Sequence, residues 1–334
     1  MVTTMKEVAE RAGVSVSTVS RVLSNSPGVG DAVRTVVRDA VTHTGYVPNR
    51  LASNLRKQTT TVWGLLISDI QNTFFTGLVR AVEDAAHAAG YSLILCNSDE
   101  DLEKEAHYVD VLVSEQVSGL LITAEDEHRT TVQRALNAGI PVVSLDRRIK
   151  SASVDTVLVD NHQGAQAAVE HLIDQGVQRV AILNGSERFA AHQDRLAGYR
   201  AALNTKGIAV DESLVLHAGT HNVGAAEALR VAFTQANPPD GLFIANNQLT
   251  VSALPVLADL GIRIPDDLLV ACFDDLPLAQ FVGGGLTVVD QPTYELGRRA
   301  AELLLGRIQD ADLPVREHML SPRLIVRGSS IHPT

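Results

Sequence analysis

The sequence predicts an α/β protein with a small all-α head at its N-terminus and a two-lobed core of parallel sheets. Three observations lead there. The first forty or so residues carry apolar positions at helical spacing. From Val62 onward, short continuous apolar runs alternate with helical patterns, as in parallel sheets covered on both faces. The chain has 334 residues, too many for one compact core, and its nine apolar runs are too many for one mononucleotide-sized unit.

The head reads as three short helices. Thr3 or Thr4 caps the first, Met5–Ala12, with Glu7 placed for a capping box. Gly13 ends it, and Val14 follows as a buried turn residue. Ser15 caps the second, Val16–Leu23. Ser24–Gly30 contains Ser-Pro-Gly and breaks the pattern. Asp31 is expected to cap the third, whose Val33, Val36, Val37, Ala40 and Val41 form one apolar stripe, and Gly45 stops it. Pro48 then suits the first turn of a short hinge helix, and Gln58–Thr61 looks like a linker.

The core is expected to place strands at 62–68, 91–97, 117–123, 140–146, 156–160, 179–185, 214–219, 241–246 and 268–274. Leu78–Ala89, Gly164–Gln175 and Gly224–Gln235 are helices between them. Arg147–Val154 reads as a crossing between two similar lobes. The C-terminal helix Tyr294–Gln309 and the strand after it are read as crossing back. The expected division is a head over 1–47, a hinge and linker over 48–61, and a core over 62–334. Within the core, one lobe takes about 62–160 and 291–320, the other about 161–290 and 321–334.

Composition excludes several classes. An apolar share of 45% with 20% charged residues is ordinary for a soluble globular protein. No apolar run is long enough to span a bilayer. No signal peptide is read at the N-terminus, so a cytoplasmic location is expected. Cys96 and Cys272 sit in apolar strand-like runs and are expected to be buried free thiols. The eleven histidines show no ligand spacing, so no metal is expected, and no cofactor. Nucleotide, zinc-protease and nucleophile-elbow signatures are absent, and Gly283-Gly284-Gly285 does not follow a strand and open a helix. An enzyme is therefore not expected. The net charge is −11, but it is unevenly spread. Residues 1–60 hold eight Lys/Arg against four acids, a net +4, which leaves −15 for the rest. A basic head on an acidic body concentrates phosphate attraction at one end.

MKEVAERAGVSVSTVSRVL carries the sharpest signal. Val8, Ala9, Val14, Val19 and Val22 have the spacing for two helices packed across a tight turn at Gly13. Any three-helix bundle shares those apolar positions. A bundle alone does not need Ser15, Val16, Ser17, Thr18, Ser20 and Arg21 crowded on the opposite face, where small polar residues fit a major groove. Through EVAERAGVS, TVSRVL and GYVPNRLASNL the head resembles the lactose-repressor/galactose-repressor family of bacterial transcriptional regulators. The later strand motifs fit that family's core, which is similar to ribose-type periplasmic binding proteins. The resemblance implies a helix-turn-helix head on a two-lobed periplasmic-binding-protein-like core. It implies that Val16, Ser17 and Arg21 face bases, and that Ser15, Thr18, Ser20 and Asn49 hold phosphates. Thr4, Lys6 and Ala52 join the expected DNA-binding set. Leu55 is expected to wedge into the minor groove and kink the DNA.

The ligand site is expected at the carboxyl ends of the core strands, where open parallel sheets bind ligands. Asn72, Phe74 and Phe75 follow the first strand, Asp146 and Arg147 the fourth, and Arg195 lies on the helix after 179–185. Asn246, Asp274 and Gln291 complete the set, with Thr220 where many relatives place an aromatic. Each alone is readily a cap or loop residue. Together they mix carboxylates, a guanidinium and amides suited to hydroxyls, with Phe74 or Phe75 to stack on a sugar ring. The expected protein is a homodimeric, allosteric repressor that binds pseudo-palindromic operator DNA and a small effector, a pentose or hexose. The alternatives are a sugar-binding receptor without a DNA role, and the same regulator sensing a purine or nucleoside.

Overall fold

The computed structural model describes residues 3–23, 26–46, 60–129, 131–219, 223–277 and 279–332. The chain divides into two compact units, Met1–Thr60 and Thr61–Thr334.

In the first unit α1 (Met5–Ala12) opens on the expected capping box. The Glu7 backbone N–H donates to Thr4 Oγ1 at 3.4 Å, and the Thr4 N–H to Glu7 Oε2 at 2.8 Å. Thr3 has a different task, donating its hydroxyl to the Thr44 carbonyl at 2.9 Å. Gly13 takes a left-handed φ of 67° and ends the helix, so that Val14 N–H returns to the Ala9 carbonyl at 3.1 Å. The chain then enters α2 (Val16–Leu23), with Ser15 Oγ accepting from Thr18 N–H at 3.2 Å. The third helix, α3 (Asp31–Thr44), has Gly30 as its cap and no side-chain cap bond. Asp31 lies instead inside the first turn, where its charge complements the helix dipole. Arg34 braces the preceding loop by donating to the carbonyls of Val29 (3.0 Å) and Ser26 (2.6 Å). Val8, Ala9, Ala12, Val19, Val22, Val37, Ala40 and Tyr46 form the core. Val36 is not part of the expected stripe: it is 48% exposed, because it stands nearly a quarter-turn from the mean direction of Val33, Val37, Ala40 and Val41.

The second unit contains two six-stranded sheets. The first is built from β1 (Val62–Ile67), β2 (Ser92–Asn97), β3 (Gly119–Ile122), β4 (Val142–Leu145), β5 (Asp155–Val159) and β11 (Glu317–Leu320). The second takes β6 (Val180–Asn184), β7 (Val215–His217), β8 (Gly241–Ile244), β9 (Leu269–Phe273), β10 (Thr287–Asp290) and β12 (Arg323–Ile325). Their spatial orders are the same in kind, β11-β5-β4-β3-β1-β2 and β12-β10-β9-β8-β6-β7. Among the described residues every strand pairing is parallel except β12 against β10. Helices α4 (Phe74–Ala88), α5 (Leu102–Ser114), α6 (Gln133–Asn137) and α11 (Thr293–Gln309) accompany the first sheet. The second has α7 (Asn161–Asp174), α8 (Ala190–Thr205), α9 (Ala225–Phe233) and α10 (Asn247–Asp259). None of these is long and apolar enough to cross a membrane, among the described residues.

The expected crossing at Arg147–Val154 is not one. That stretch joins β4 to β5 within the first sheet, with Val143 opposite Asp155 and Leu145 opposite Val157. It carries no helix, which is why it reads as an exit. The chain changes sheets after β5, after β10 and after β11. Each lobe keeps a dry core: Trp63, Leu65, Ile67 and Leu78 in the first, Ile182, Tyr199, Phe243 and Phe273 in the second. Close helix packing in the first lobe needs Gly297 on α11, where a Cβ would lie 2.5 Å from the Leu78 carbonyl of α4.

Asp155 ties the last strand of the first sheet to its neighbours. It is 1% exposed and accepts from Arg307 Nη2 at 2.8 Å, Arg307 Nε at 3.1 Å and the Arg316 N–H at 2.8 Å. A buried, fully bonded charge is costly to orphan. Asp155→Ala is therefore expected to destabilise the core by about 3–5 kcal/mol in urea unfolding. A loss under ~1 kcal/mol would show that the pair adds nothing beyond a surface ion pair.

Candidate functional site

The carboxyl ends of the two sheets meet in a cleft, and matching strands deliver matching acids. β4 ends in Asp146 and β9 in Asp274, with left-handed φ values of 63° and 72°. An aspartate tolerates that conformation better than most residues. Each is held by donating its backbone N–H to the adjoining strand at 2.9 Å, Asp146 to the Val157 carbonyl and Asp274 to that of Val289. The turn aims both carboxyls into the cleft. Asp274 accepts from Gln291 Nε2 at 2.5 Å and from the Asn247 N–H at 3.3 Å. Burial raises the Asp146 carboxyl above its ordinary range, while Arg147 and Arg195 pull it back and Asp274 adds to the rise.

Arg195, on α8, is the buried cation of the site, with 5% exposure. Nε donates to Asn161 Oδ1 at 2.8 Å, Nη1 to the Ala245 carbonyl at 2.6 Å, and the guanidinium lies 3.7 Å from the Phe273 ring centroid. Burial lowers its pKa, against the opposing fields of Asp274 and Asp146. Among the described residues it makes no direct ion pair with either acid, although both lie close enough to act on its charge.

Several contacts bridge the lobes. Asn247 Nδ2 donates to Asn72 Oδ1 at 2.7 Å and Thr73 Oγ1 at 2.9 Å, and Gln248 Nε2 to Asp69 Oδ2 at 2.5 Å. Asn72 Oδ1 also accepts from the Phe74 N–H at 3.0 Å, so that oxygen is already occupied. Arg147 of the first lobe is braced from behind by Glu125 Oε2 (3.0 Å), the Ala124 carbonyl (3.2 Å) and Ser68 Oγ (3.2 Å). Its guanidinium lies 4.3 Å from the ring of Phe189 in the second lobe, which also has Arg188 at 4.6 Å and the His192 ring edge-on at 6.1 Å. Glu105, fully buried behind Glu125, accepts the Glu125 N–H at 2.7 Å, and burial raises its pKa.

Asp146, Arg147, Arg195, Asn246, Asp274 and Gln291 thus come together, with Asn72 at the lobe junction. Phe74 and Phe75 pack edge to face, centroids 5.0 Å apart, and both belong to the first lobe's apolar core. Phe74 is 7% exposed and Phe75 3%. Thr220 lies outside the described residues. Phe189, His192, Asn161 and Asn247 are site-lining residues that the sequence reading did not assign. Asn161 opens a helix directly after a strand, the same signal that flagged Asn246. Phe189 and His192 sit in a segment read only for Arg195. Three carboxamide oxygens, Gln291 Oε1, Asn247 Oδ1 and Asn184 Oδ1, are buried with no partner among the described residues. No cluster of three or more potential metal ligands occurs among the described residues.

In the head, α2 buries Val19 and Val22 and turns Val16, Ser17 and Arg21 outward, with Val16 45% exposed. Ser15 Oγ lies 2.8 Å from both Ser17 Oγ and Thr18 Oγ1, and Thr18 and Ser20 are half-buried. Thr4 is engaged in its cap, and Lys6 is exposed, 4.0 Å from Glu10. Asn49, Ala52 and Leu55 lie outside the described residues.

Residues 4–49 match the bacterial regulatory proteins of the lacI family, and residues 169–330 match a periplasmic binding protein-like domain. The ribose operon repressor of Halalkalibacterium halodurans is 35% identical over 98% of this chain and 97% of its own length. The HTH-type transcriptional repressor PurR of Vibrio atlanticus is 32% identical over 98% of both. The solved complex of the transcriptional regulator CelR with cellobiose aligns at a TM-score of 0.74 and 31% identity, covering 98% of this chain and 99% of that one. With an outward-turned second helix on a three-helix head and two like-ordered parallel sheets enclosing a polar cleft, the chain belongs to the lacI family of bacterial regulatory proteins, DNA-binding transcriptional repressors with a ligand-binding core.

Proposed function

We propose that this protein is a cytoplasmic, non-enzymatic homodimer whose operator affinity is set by a neutral polyol, a pentose or hexose, held between the lobes of its core. One observation carries the reading. Asp146 and Asp274 approach the buried Arg195 without pairing with it, beside two partnerless carboxamide oxygens on Gln291 and Asn247. Such a set keeps oxygens on Gln291 and Asn247 without donors, and its guanidinium has more N–H groups than the two bonds to Asn161 and Ala245 use; vicinal hydroxyls can serve both. A phosphate dianion would meet two carboxylates. The ribose operon repressor and the cellobiose-bound regulator among the relatives favour a sugar. The purine-type relative favours the second reading, in which Phe189 stacks on a base and Asp274 accepts from its N–H groups.

The division of labour follows the chain. Residues 1–47 read DNA, 48–61 form the hinge with Leu55 as the minor-groove wedge, and 62–334 bind effector and partner subunit. Val16, Ser17 and Arg21 face bases, while Thr4, Lys6, Ser15, Thr18, Ser20, Asn49 and Ala52 hold the backbone or line the groove. Two reading helices in a dimer suit a pseudo-palindrome with half-sites about one helical turn apart. Val223, Val251 and Phe281 expose apolar surface in the second lobe, at 73%, 60% and 74%, and are suited to a subunit contact. Effector and operator couple because ligand changes the lobe contacts at Asn72–Asn247 and Arg147–Phe189, and with them the separation of the hinges.

Two measurements test this. Arg21→Ala is expected to weaken specific operator binding by about 1–3 kcal/mol, with little change on random duplex, in fluorescence anisotropy at fixed salt. Equal losses on both DNAs would remove Arg21 from base reading. A thermal-shift panel of pentoses, hexoses, nucleosides and purines identifies the effector, since ligand at ~100 times its Kd adds about 2.7 kcal/mol. Asp274→Ala and Arg147→Lys are then expected to abolish the response to that compound and to keep operator binding. Wild-type titration curves in both variants would place the effector elsewhere.

A further inference from the structure

His192 lies on the wall of the cleft, three residues before Arg195, and together with the cap of α10 it fixes the orientation of a second side chain, Asn246. Its Nδ1 stands 3.0 Å from the Ser186 carbonyl, and its Nε2 stands 3.2 Å from Asn246 Nδ2. A carbonyl only accepts, so Nδ1 carries the proton. Nε2 of the neutral ring is then a lone pair, and it needs a donor. Asn246 presents its N–H₂ there, because its Oδ1 is committed to the Leu249 N–H at 2.7 Å as the cap of α10. Turning the amide over would set an N–H against an N–H at the helix end and leave two nitrogens with unsatisfied neighbours. The chain of bonds from Ser186 through His192 and Asn246 to α10 therefore has one direction only. The imidazole fits because the residue beneath it is Gly185, where a Cβ would lie 2.2 Å from the ring.

We propose that His192 is a positioning residue of the effector site: its neutral imidazole locks Asn246 so that the cleft offers an N–H donor there, and the effector must place an acceptor, such as a hydroxyl or ring oxygen, against it. The inference rests on the reading of Asn246 as an effector contact; the bonds of the lock are independent of that reading. Both charged groups acting on the ring are cations, Arg195 from its own helix and Arg147 from the loop after β4; the Ser186 carbonyl opposes them, while Asn246 and Gly185 are neutral. Burial and then Arg195 lower the His192 pKa from 6.5 to about 4. A folded value below the unfolded one means that the stabilisation is complete above pH 6.5 and is lost as pH falls toward about 4. Protonation would put a donor on Nε2 facing the Asn246 donor and break the lock.

The test uses the full-length protein labelled with ¹⁵N. Long-range imidazole spectra, with His192→Gln to assign the signal, are expected to show a neutral ring protonated on Nδ1 from pH 7.5 down to about 5. Over the same interval the Tm advantage of wild type over His192→Gln is expected to shrink as the pH falls through 6.5. A ring protonated on Nε2, or one titrating at an ordinary midpoint, overturns the proposal. Calorimetry with D-ribose supplies the second arm. His192→Gln, whose carboxamide oxygen can accept from Asn246, is expected to bind within about threefold of wild type, and His192→Leu at least about tenfold more weakly. Leucine binding as tightly as histidine also overturns it. If wild type ignores D-ribose, ribose is not the effector, and the imidazole spectra still decide the lock.

Discussion

Arg195 holds a positive charge in nearly dry surroundings, and much of the second lobe is arranged to make that tolerable. An isolated guanidinium buried at this depth would be prohibitive, since desolvation of a charge is recovered only through hydrogen bonds and opposing charge. The protein supplies Asn161 Oδ1 and the Ala245 carbonyl as acceptors and the Phe273 face as a platform. It brings Asp146 and Asp274 close without letting either pair directly. The result is a charge that is stabilised but not saturated. Its bonds to Asn161 and Ala245 use only part of the donor capacity of the guanidinium.

The first lobe meets this arrangement with a braced cation of its own. Arg147 cannot wander, because Glu125, Ala124 and Ser68 engage both terminal nitrogens and Phe189 flanks its face from the other lobe. Glu125 is in turn backed by Glu105, which spends its carboxylate on backbone N–H groups of Glu125 and Thr131. Burial raises the pKa of Glu105, and the nearby Glu125 carboxylate adds a smaller rise. Layers of this kind make a cleft residue rigid before any ligand arrives, lowering the entropy lost on binding.

The head obeys simpler constraints. Its core is small, so local devices carry a large share of its order: the Thr4–Glu7 capping box, the left-handed Gly13, and Arg34 holding the loop carbonyls of Ser26 and Val29. These fix α2 against α1 and leave Val16, Ser17 and Arg21 facing outward. Val19 and Val22 anchor α2 through its apolar face.

Periodicity alone determined the three head helices, the nine main strands and the α/β class, because burial imposes spacings of 3.6 or 2 residues, or an unbroken apolar run, on any chain that folds this way. The acids Asp146 and Asp274 were legible too, since the carboxyl end of a parallel strand is where such a sheet exposes its polar groups. What the sequence could not convey was direction and commitment. Asp31 and Gly30 compete for one cap, and only backbone angles decide between them. Arg147–Val154 lacks a helix and so imitates a lobe crossing, although the register of β4 with β5 keeps it in one sheet. Phe74 and Phe75 looked like a sugar platform and are core residues, while Phe189 and His192 reach the cleft from a stretch without distinctive pattern. Secondary structure answers to neighbours a few residues away. A binding site is assembled from residues as far apart as Asn72 and Asn247, and which hydrogen bond each polar group makes there is settled only by the tertiary contacts that exclude its alternatives.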